Sequence, residues 1–191
     1  LLQLIDSLAA DGITIRHLDL GGGLGVTYRD ETPPSPGTYL AKVREALAGR
    51  NLTLVFEPGR SIVANAGVLL TRVIRAKRSG NGPPFVVVDA AMNDLARPAM
   101  YGAWHDFDAV QPTGDRMTAH IVGPICETGD TFATNRDCPA LVAGDLAVFR
   151  TAGAYGATMA GTYNSRPLTP EVLVSGAQWA VVRERPPLRA L

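Results

Sequence analysis

Ile13-Thr14-Ile15-Arg16-His17-Leu18-Asp19-Leu20-Gly21-Gly22-Gly23-Leu24-Gly25 is an apolar, β-forming run that stops abruptly at consecutive glycines. Alternating Ile13 and Ile15, then Leu18 and Leu20, predict a short buried strand ending in a tight loop. On its N-terminal side, Leu1, Leu4, Ile5 and Leu8 recur at helical spacing, and Gly12 is a natural stop for a helix over residues 1–10. On its C-terminal side a linker with Pro33, Pro34 and Pro36 leads to a second helical pattern at 39–47. A second apolar strand at 52–56 follows. It ends in Glu57-Pro58-Gly59-Arg60, with a short helix expected at 61–66. The order helix, strand, glycine loop, helix, strand, polar loop is the rhythm of a parallel sheet or barrel entered partway round. A (β/α)8 barrel has eight strands, so the rest of one would lie before residue 1.

Beyond Gly67 the texture changes. Apolar β-forming runs at 68–76, 85–88, 120–122, 146–149 and 172–174 are divided by turn clusters such as Ser79-Gly80-Asn81-Gly82-Pro83-Pro84. The expected architecture is therefore α/β plus β. The last βα units of a TIM-like barrel (residues 1–66) precede a mostly antiparallel C-terminal β domain (67–191).

Composition narrows the function classes. The 191 residues are 46% hydrophobic and carry 18 basic and 18 acidic side chains, a formal net charge of zero. Such a chain has the apolar content for a packed core and lacks the basic excess of a nucleic-acid binder. Two cysteines, Cys126 and Cys138, are too few for a disulfide framework or a zinc quartet, which favours a reducing, cytoplasmic setting and no metal. No apolar run reaches the ~20 residues that span a bilayer, and no signal peptide is visible. The chain begins without methionine inside a helical pattern, so it is expected to be a piece of a longer protein.

Five places carry chemistry-bearing residues. Consecutive glycines at Gly21-Gly22-Gly23 allow a phosphate to approach backbone N–H groups, although a tight turn without ligand has the same composition. Arg60, at the next strand end, can grip a phosphate with two prongs, and Glu57 adds a carboxylate; a surface ion pair is the alternative. Two such loops in series match the phosphate site that barrels build after their last strands. Cys126-Glu127 lies between Gly-Pro and Gly-Asp, a loop that could display a thiol, whereas lone cysteines commonly serve as small buried hydrophobes. Arg97 and Tyr101 are one helical turn apart and could hold a carboxylate together. His105, beside Trp104, reads as a structural histidine. Tyr155 sits between glycines, and Tyr163-Asn164-Ser165-Arg166-Pro167 follows; ordinary aromatic packing accounts for either tyrosine.

Taken together these segments resemble the diaminopimelate branch of the pyridoxal-phosphate decarboxylases built on an alanine-racemase-like (fold-type III) barrel. The matching pieces are His17-Leu18-Asp19-Leu20-Gly21-Gly22-Gly23-Leu24-Gly25, Glu57-Pro58-Gly59-Arg60-Ser61, Arg97-Pro98-Ala99-Met100-Tyr101, Gly123-Pro124-Ile125-Cys126-Glu127-Thr128-Gly129-Asp130, and Ala154-Tyr155-Gly156 with Tyr163-Asn164-Ser165-Arg166-Pro167. They occur in the family's order and cover nearly the whole chain. The ornithine and arginine branches share the glycine loop and Glu-Pro-Gly-Arg, but the ornithine branch typically has Cys-Asp where this chain has Cys126-Glu127.

The resemblance implies decarboxylation of meso-2,6-diaminopimelate to L-lysine and CO2, the last step of lysine biosynthesis, with pyridoxal 5'-phosphate as cofactor. It implies that Gly21, Gly22, Gly23, Gly59 and Arg60 bind the cofactor phosphate and that Glu57 faces the pyridine nitrogen. Arg60, Arg97 and Tyr101 would hold the distal carboxylate of the substrate, Glu127 its distal ammonium, and Tyr155 would touch cofactor and substrate. Cys126 would be the acid that reprotonates the α-carbon. A homodimer is implied, with Cys126 and Glu127 reaching into the partner subunit's site.

Some positions depart from the family. The lysine that holds the cofactor lies on an early barrel strand, and neither lysine of this chain, Lys42 or Lys77, matches it. Ala157-Thr158 stands where an aromatic and a serine are usual. The chain is thus expected to be the C-terminal half, inactive alone. Two other readings are a sister decarboxylase of ornithine, arginine or a carboxylated polyamine, and a non-catalytic homologue that dimerises with an active relative.

Overall fold

The computed structural model describes residues 1–187, Ser79 by its backbone alone. The chain divides into two compact units, Leu1–Ile62 and Val63–Leu191. No helix of the described residues is long and apolar enough to cross a membrane.

In the first unit, α1 (Leu2–Ala10) ends where the spacing predicts. Gly12 adopts φ +80°, its N–H reaches the Ala9 carbonyl at 3.1 Å, and the Ile13 N–H reaches that of Leu8 at 2.8 Å. This left-handed glycine closure satisfies carbonyls that a helix end would otherwise leave bare. The first strand, β1 (His17–Asp19), is shorter than expected: residues 13–15 lie outside it, and Arg16 contributes only its carbonyl, which accepts the Thr53 N–H at 2.8 Å. Helix α2 (Pro36–Ala46) starts three residues before the predicted pattern. Its start is set by chemistry rather than apolar spacing: the Ser35 side chain accepts the Thr38 N–H at 3.1 Å, and Pro36 occupies the first turn without needing a donor. Strand β2 (Thr53–Val55) pairs parallel to β1, Leu18 opposite Leu54. The chain then turns into α3 (Gly59–Val63) and a 3-10 turn at Ala64–Ala66.

The second unit is built on one six-stranded sheet. Its strands are β3 (Leu69–Ser79), β4 (Gly82–Val88), β5 (Phe107–Ala109), β6 (Arg116–Val122), β7 (Thr131–Pro139) and β8 (Leu146–Phe149), in the order β5-β8-β3-β4-β6-β7. Every pairing is antiparallel except β4 with β6. The turn between β3 and β4 is tighter than the proline-rich cluster suggests. Pro83 and Pro84 lie inside β4, where the register shifts between Lys77 and Ser79 of β3. A bulge tolerates residues that cannot donate to the ladder. Val73, Val86, Ile121, Phe132 and Phe149 form the core, with the Phe132 and Phe149 rings 4.5 Å apart.

Parallel pairing of β4 with β6 demands a long crossover. That crossover holds residues 89–115, including α4 (Arg97–Tyr101) and β5. The β6–β7 connection is the loop carrying Cys126 and Glu127. After β8 come α5 (Gly156–Met159), a 3-10 turn at Tyr163–Ser165, and a separate hairpin of β9 (Glu171–Ser175) with β10 (Gln178–Arg183).

Candidate active site

Within the first unit the two strand ends named from sequence lie side by side. The ladder continues past β1 and β2: the Leu20 N–H donates to the Val55 carbonyl at 3.0 Å, and the Glu57 N–H to that of Gly21 at 2.8 Å. Gly21 and Gly23 adopt φ +65° and +90°, a region that side chains disfavour. Gly22 is constrained differently, because a Cβ there would collide with the Glu57 backbone carbonyl. The Asp19 carboxylate accepts the Gly21 N–H at 2.7 Å and sets the direction of the turn. Gly59 and Gly23 face open space where a Cβ would stand. The result is a shallow, glycine-walled backbone surface, with Glu57 exposed and Arg60 half-buried at its edge.

Within the second unit, α4 forms as the Arg97-to-Tyr101 spacing requires, and Gly102 ends it at φ +60°. Arg97 is buried and Tyr101 is 66% exposed. An Arg97 Nη1 lies 3.1 Å from His105 Nε2, and His105 Nδ1 lies 2.9 Å from the Arg150 carbonyl. A carbonyl can only accept and a guanidinium can only donate, so the ring carries its proton on Nδ1 and accepts at Nε2. His105 thereby orients Arg97. Burial, and the nearby charges of Arg97 and Arg136, hold this imidazole below its ordinary pKa, against the pull of the Arg150 carbonyl and Asp106.

The Cys126 thiol and Glu127 carboxylate are exposed on their loop, whereas Cys138 is fully buried. Burial, seconded by Asp137, pushes the Cys138 thiol up, so Cys126 is the thiol presented to chemistry. The loop has its own internal brace. Asp130, 2% exposed, accepts the Met92 N–H at 2.6 Å and the Ile125 N–H at 2.7 Å. Gly123 is required because a Cβ would occupy the space of the Asp130 carboxylate. Burial raises the Asp130 carboxyl although both N–H bonds oppose it. A further, partly buried network binds the crossover to the Tyr163–Ser165 turn. The Arg166 guanidinium donates to the Asn93 side chain at 3.0 Å and to the Asp89 carbonyl at 2.6 Å, and lies 3.3 Å from Asp94. Tyr155 is 41% exposed and stands at φ +65°, a backbone state that a bulky residue occupies only under local constraint.

The structure thus brings Gly21 and Gly22 against Glu57, with Gly23 facing open space, and sets Cys126 and Glu127 on a braced loop. The sequence reading gave Asp130 no role of its own and left Tyr163 to ordinary aromatic packing; it read His105 as structural, which agrees with a buried ring bonded at both nitrogens. The signal for Asp130 was present: an acid closing a Gly-Pro…Gly loop is a common acceptor for the loop's own N–H groups.

The family described as pyridoxal-dependent decarboxylase, C-terminal sheet domain, matches residues 7–153. The diaminopimelate decarboxylase of Pseudomonas aeruginosa is 58% identical over 192 residues, covering 100% of this chain and 46% of that protein. That of Vibrio cholerae is 51% identical over 193 residues, with 100% and 46% covered. The crystal structure of diaminopimelate decarboxylase from Helicobacter pylori complexed with L-lysine superposes with TM-score 0.91 at 40% identity, covering 98% of this chain and 46% of that one. The lysine/ornithine decarboxylase of Vibrio vulnificus complexed with cadaverine gives 0.75 at 26% identity, covering 85% and 44%. The chain spans a little under half the length of the curated relatives it matches. From its match over most of its length, the chain belongs to the pyridoxal-dependent decarboxylases.

Proposed function

We propose that the protein decarboxylates meso-2,6-diaminopimelate to L-lysine and CO2 as a cytoplasmic homodimer, and that this chain supplies the last βα units of its barrel and its C-terminal β domain. The observation that carries this reading is the Cys126-Glu127 pair, exposed on a loop that the buried Asp130 braces. It pairs a proton donor with an anion suited to an ammonium group, and Glu127 separates the chain from relatives with a shorter acid at that place.

The first unit fits pyridoxal 5'-phosphate. Its glycine-walled surface is open at Gly21, Gly23 and Gly59, with Gly22 packed on the Glu57 backbone between them; these four glycines bind the phosphate, and Arg60 supplies a cation. When bound, the cofactor supplies an electron sink for the pair released as CO2 leaves. The Glu57 carboxylate keeps the pyridine nitrogen protonated, which the sink requires. Tyr155 contacts cofactor and substrate. Arg60, Arg97 and Tyr101 take the distal carboxylate, with Arg97 aimed by His105. Glu127 takes the distal ammonium. Cys126 delivers the proton to the α-carbon, and with Glu127 it serves the site of the partner subunit in the dimer.

The test uses the full-length enzyme. Cys126→Ala slows turnover by about 10²–10⁴-fold, the usual contribution of a general acid, with little change in substrate binding. Arg97→Met removes most of the preference for diaminopimelate over ornithine, measured as the ratio of kcat/KM. That preference is roughly 10²–10⁴-fold, because two unpaired polar groups cost ~1–3 kcal/mol each. Equal kcat/KM for the two substrates in the unmodified enzyme would move the assignment to the ornithine or arginine branch. Near-normal turnover of Cys126→Ala would remove the acid role.

A further inference from the structure

The Glu127 carboxylate is held by a residue outside its own loop. The Tyr163 hydroxyl donates to Glu127 Oε2 at 2.5 Å. Nothing in the composition of the Tyr163-Asn164-Ser165-Arg166 run points to this bond. We propose that Tyr163 is a positioning residue that sets the Glu127 carboxylate for a distal ammonium, and so determines specificity. This rests on the reading of Glu127 as the ammonium acceptor.

The geometry around the pair is over-determined. Glu127 is fixed at its backbone: its N–H reaches the Ile125 carbonyl at 2.8 Å, and its carbonyl accepts the Asp130 N–H at 3.1 Å. Its other oxygen, Oε1, lies 3.0 Å from where a Cβ of residue 129 would stand, so Gly129 leaves room for the carboxylate to fold over it. Tyr163 is fixed on both sides. Upstream, Gly161 exchanges bonds with Asn93, whose carbonyl accepts the Gly161 N–H at 2.9 Å and whose side chain donates to the Gly161 carbonyl at 2.9 Å. Downstream, Asn164 and Ser165 adopt φ +58° and +54°, and Arg166 is clamped on Asn93, Asp89 and Asp94. Two successive left-handed residues without glycine are costly and persist where surrounding bonds enforce them.

The hydrogen bond to Glu127 raises the Tyr163 phenol, so the hydroxyl stays protonated and can only donate to the carboxylate. One acceptor site of Oε2 is thereby filled and the carboxylate's direction fixed, and the remaining lone pairs are left to meet an ammonium. Without the hydroxyl, Glu127 is an exposed side chain with three rotatable bonds, and its charge spreads over several positions.

The test is a double-mutant cycle in the full-length enzyme. Its readout is the ratio of kcat/KM for meso-diaminopimelate to that for 2-aminopimelate of the same configuration at the reacting carbon, which keeps both carboxylates but lacks the distal ammonium. Tyr163→Phe lowers this ratio about tenfold, equivalent to ~1.4 kcal/mol, through KM for diaminopimelate. The rate on 2-aminopimelate and the melting temperature stay unchanged. In a Glu127→Ala background the same substitution has no further effect. An unchanged ratio in Tyr163→Phe beside a collapsed one in Glu127→Ala overturns the positioning role alone. So do equal losses on both substrates, or additive effects in the double variant. An unchanged ratio in Glu127→Ala overturns the ammonium reading, and the Tyr163 role falls with it.

Discussion

His105 is 3% exposed and joins the Arg97 guanidinium to the Arg150 carbonyl. A protonated ring could still donate to the carbonyl but would face the guanidinium as a second cation. The folded-state pKa is depressed from the ordinary 6.5. Above that value the ring is neutral in both folded and unfolded chains, and stability does not depend on it. As pH falls below 6.5 the unfolded chain binds the proton first, so stability is lost from there down toward the folded pKa. Urea midpoints at about pH 7.5 and 5.5 should therefore differ more for the unmodified chain than for His105→Gln, other groups contributing a common background. Equal pH slopes would show that the ring titrates normally. The sequence reading singled out Arg97 by its partner one turn away, yet what aims it is eight residues on, beyond a helix end that composition does not locate.

At the level of elements, the tightest constraint is where Gly67 meets Gly153. A Cβ at Gly67 would lie 2.5 Å from the Gly153 Cα, and one at Gly153 would collide with the Val63 carbonyl. The Ala152 N–H also bonds the Gly67 carbonyl at 2.8 Å, so neither segment can retreat without breaking that bond. Gly153→Ala should destabilise by about 1–3 kcal/mol, the cost of overpacking. Gly161→Ala meets nothing within 4 Å at an ordinary φ, and should be neutral or stabilise by about 0.4–1 kcal/mol through the unfolded chain. Thermal melts of the two variants decide the matter, and a similar shift in both would refute the contact argument. Apolar strands were readable beforehand: β3, β4, β6, β8 and β9 all contain predicted runs. Strand β7 was not, because its inward positions include Arg136. That guanidinium lies 3.2 Å from the Trp104 ring centre and donates to the His105 carbonyl at 3.0 Å. A charged residue satisfied by such partners can be buried, and alternation of apolar and polar residues gives no warning of it.

Across the whole molecule, the ordered interior is uneven. In Leu1–Ile62, Leu18, Leu24 and Tyr28 are the described residues buried below a tenth exposure, and the sheet is a parallel pair of three-residue strands that holds only Leu18 of them. Val63–Leu191 holds the continuous cluster around Val73, Val86, Ile121 and Phe149. The β9–β10 hairpin pairs with no other strand among the described residues and exposes Leu173, Val174 and Trp179 at 63%, 65% and 71%. Isolated two-stranded pairs are marginal in water, and amides open locally where few apolar contacts resist. In native-state hydrogen exchange on this chain, β1, β2 and β9–β10 should exchange well before β3, β4, β6 and β8. Equal protection in β1 and β4 would mean that both units open only by global unfolding.

Local chemistry alone determined a good deal here. Ser35-Pro36 and Gly12 start and stop helices through bonds made within a few residues, and the apolar runs mark strands whichever neighbour they find. The two glycine-bearing strand ends and the Cys126-Glu127 loop were visible as motifs because their residue types are special in any context. Tertiary structure decided the rest, since it depends on groups distant in sequence arriving at one place. The parallel β4–β6 pair makes the crossover that carries Arg97 and His105. Asp130 meets Met92 across 38 positions. The Glu127 carboxylate meets the Tyr163 hydroxyl across 36. Such pairings follow from strand order and, for Asp130, from the demand that a buried polar atom find a partner, and neither is written in the spacing of a single stretch.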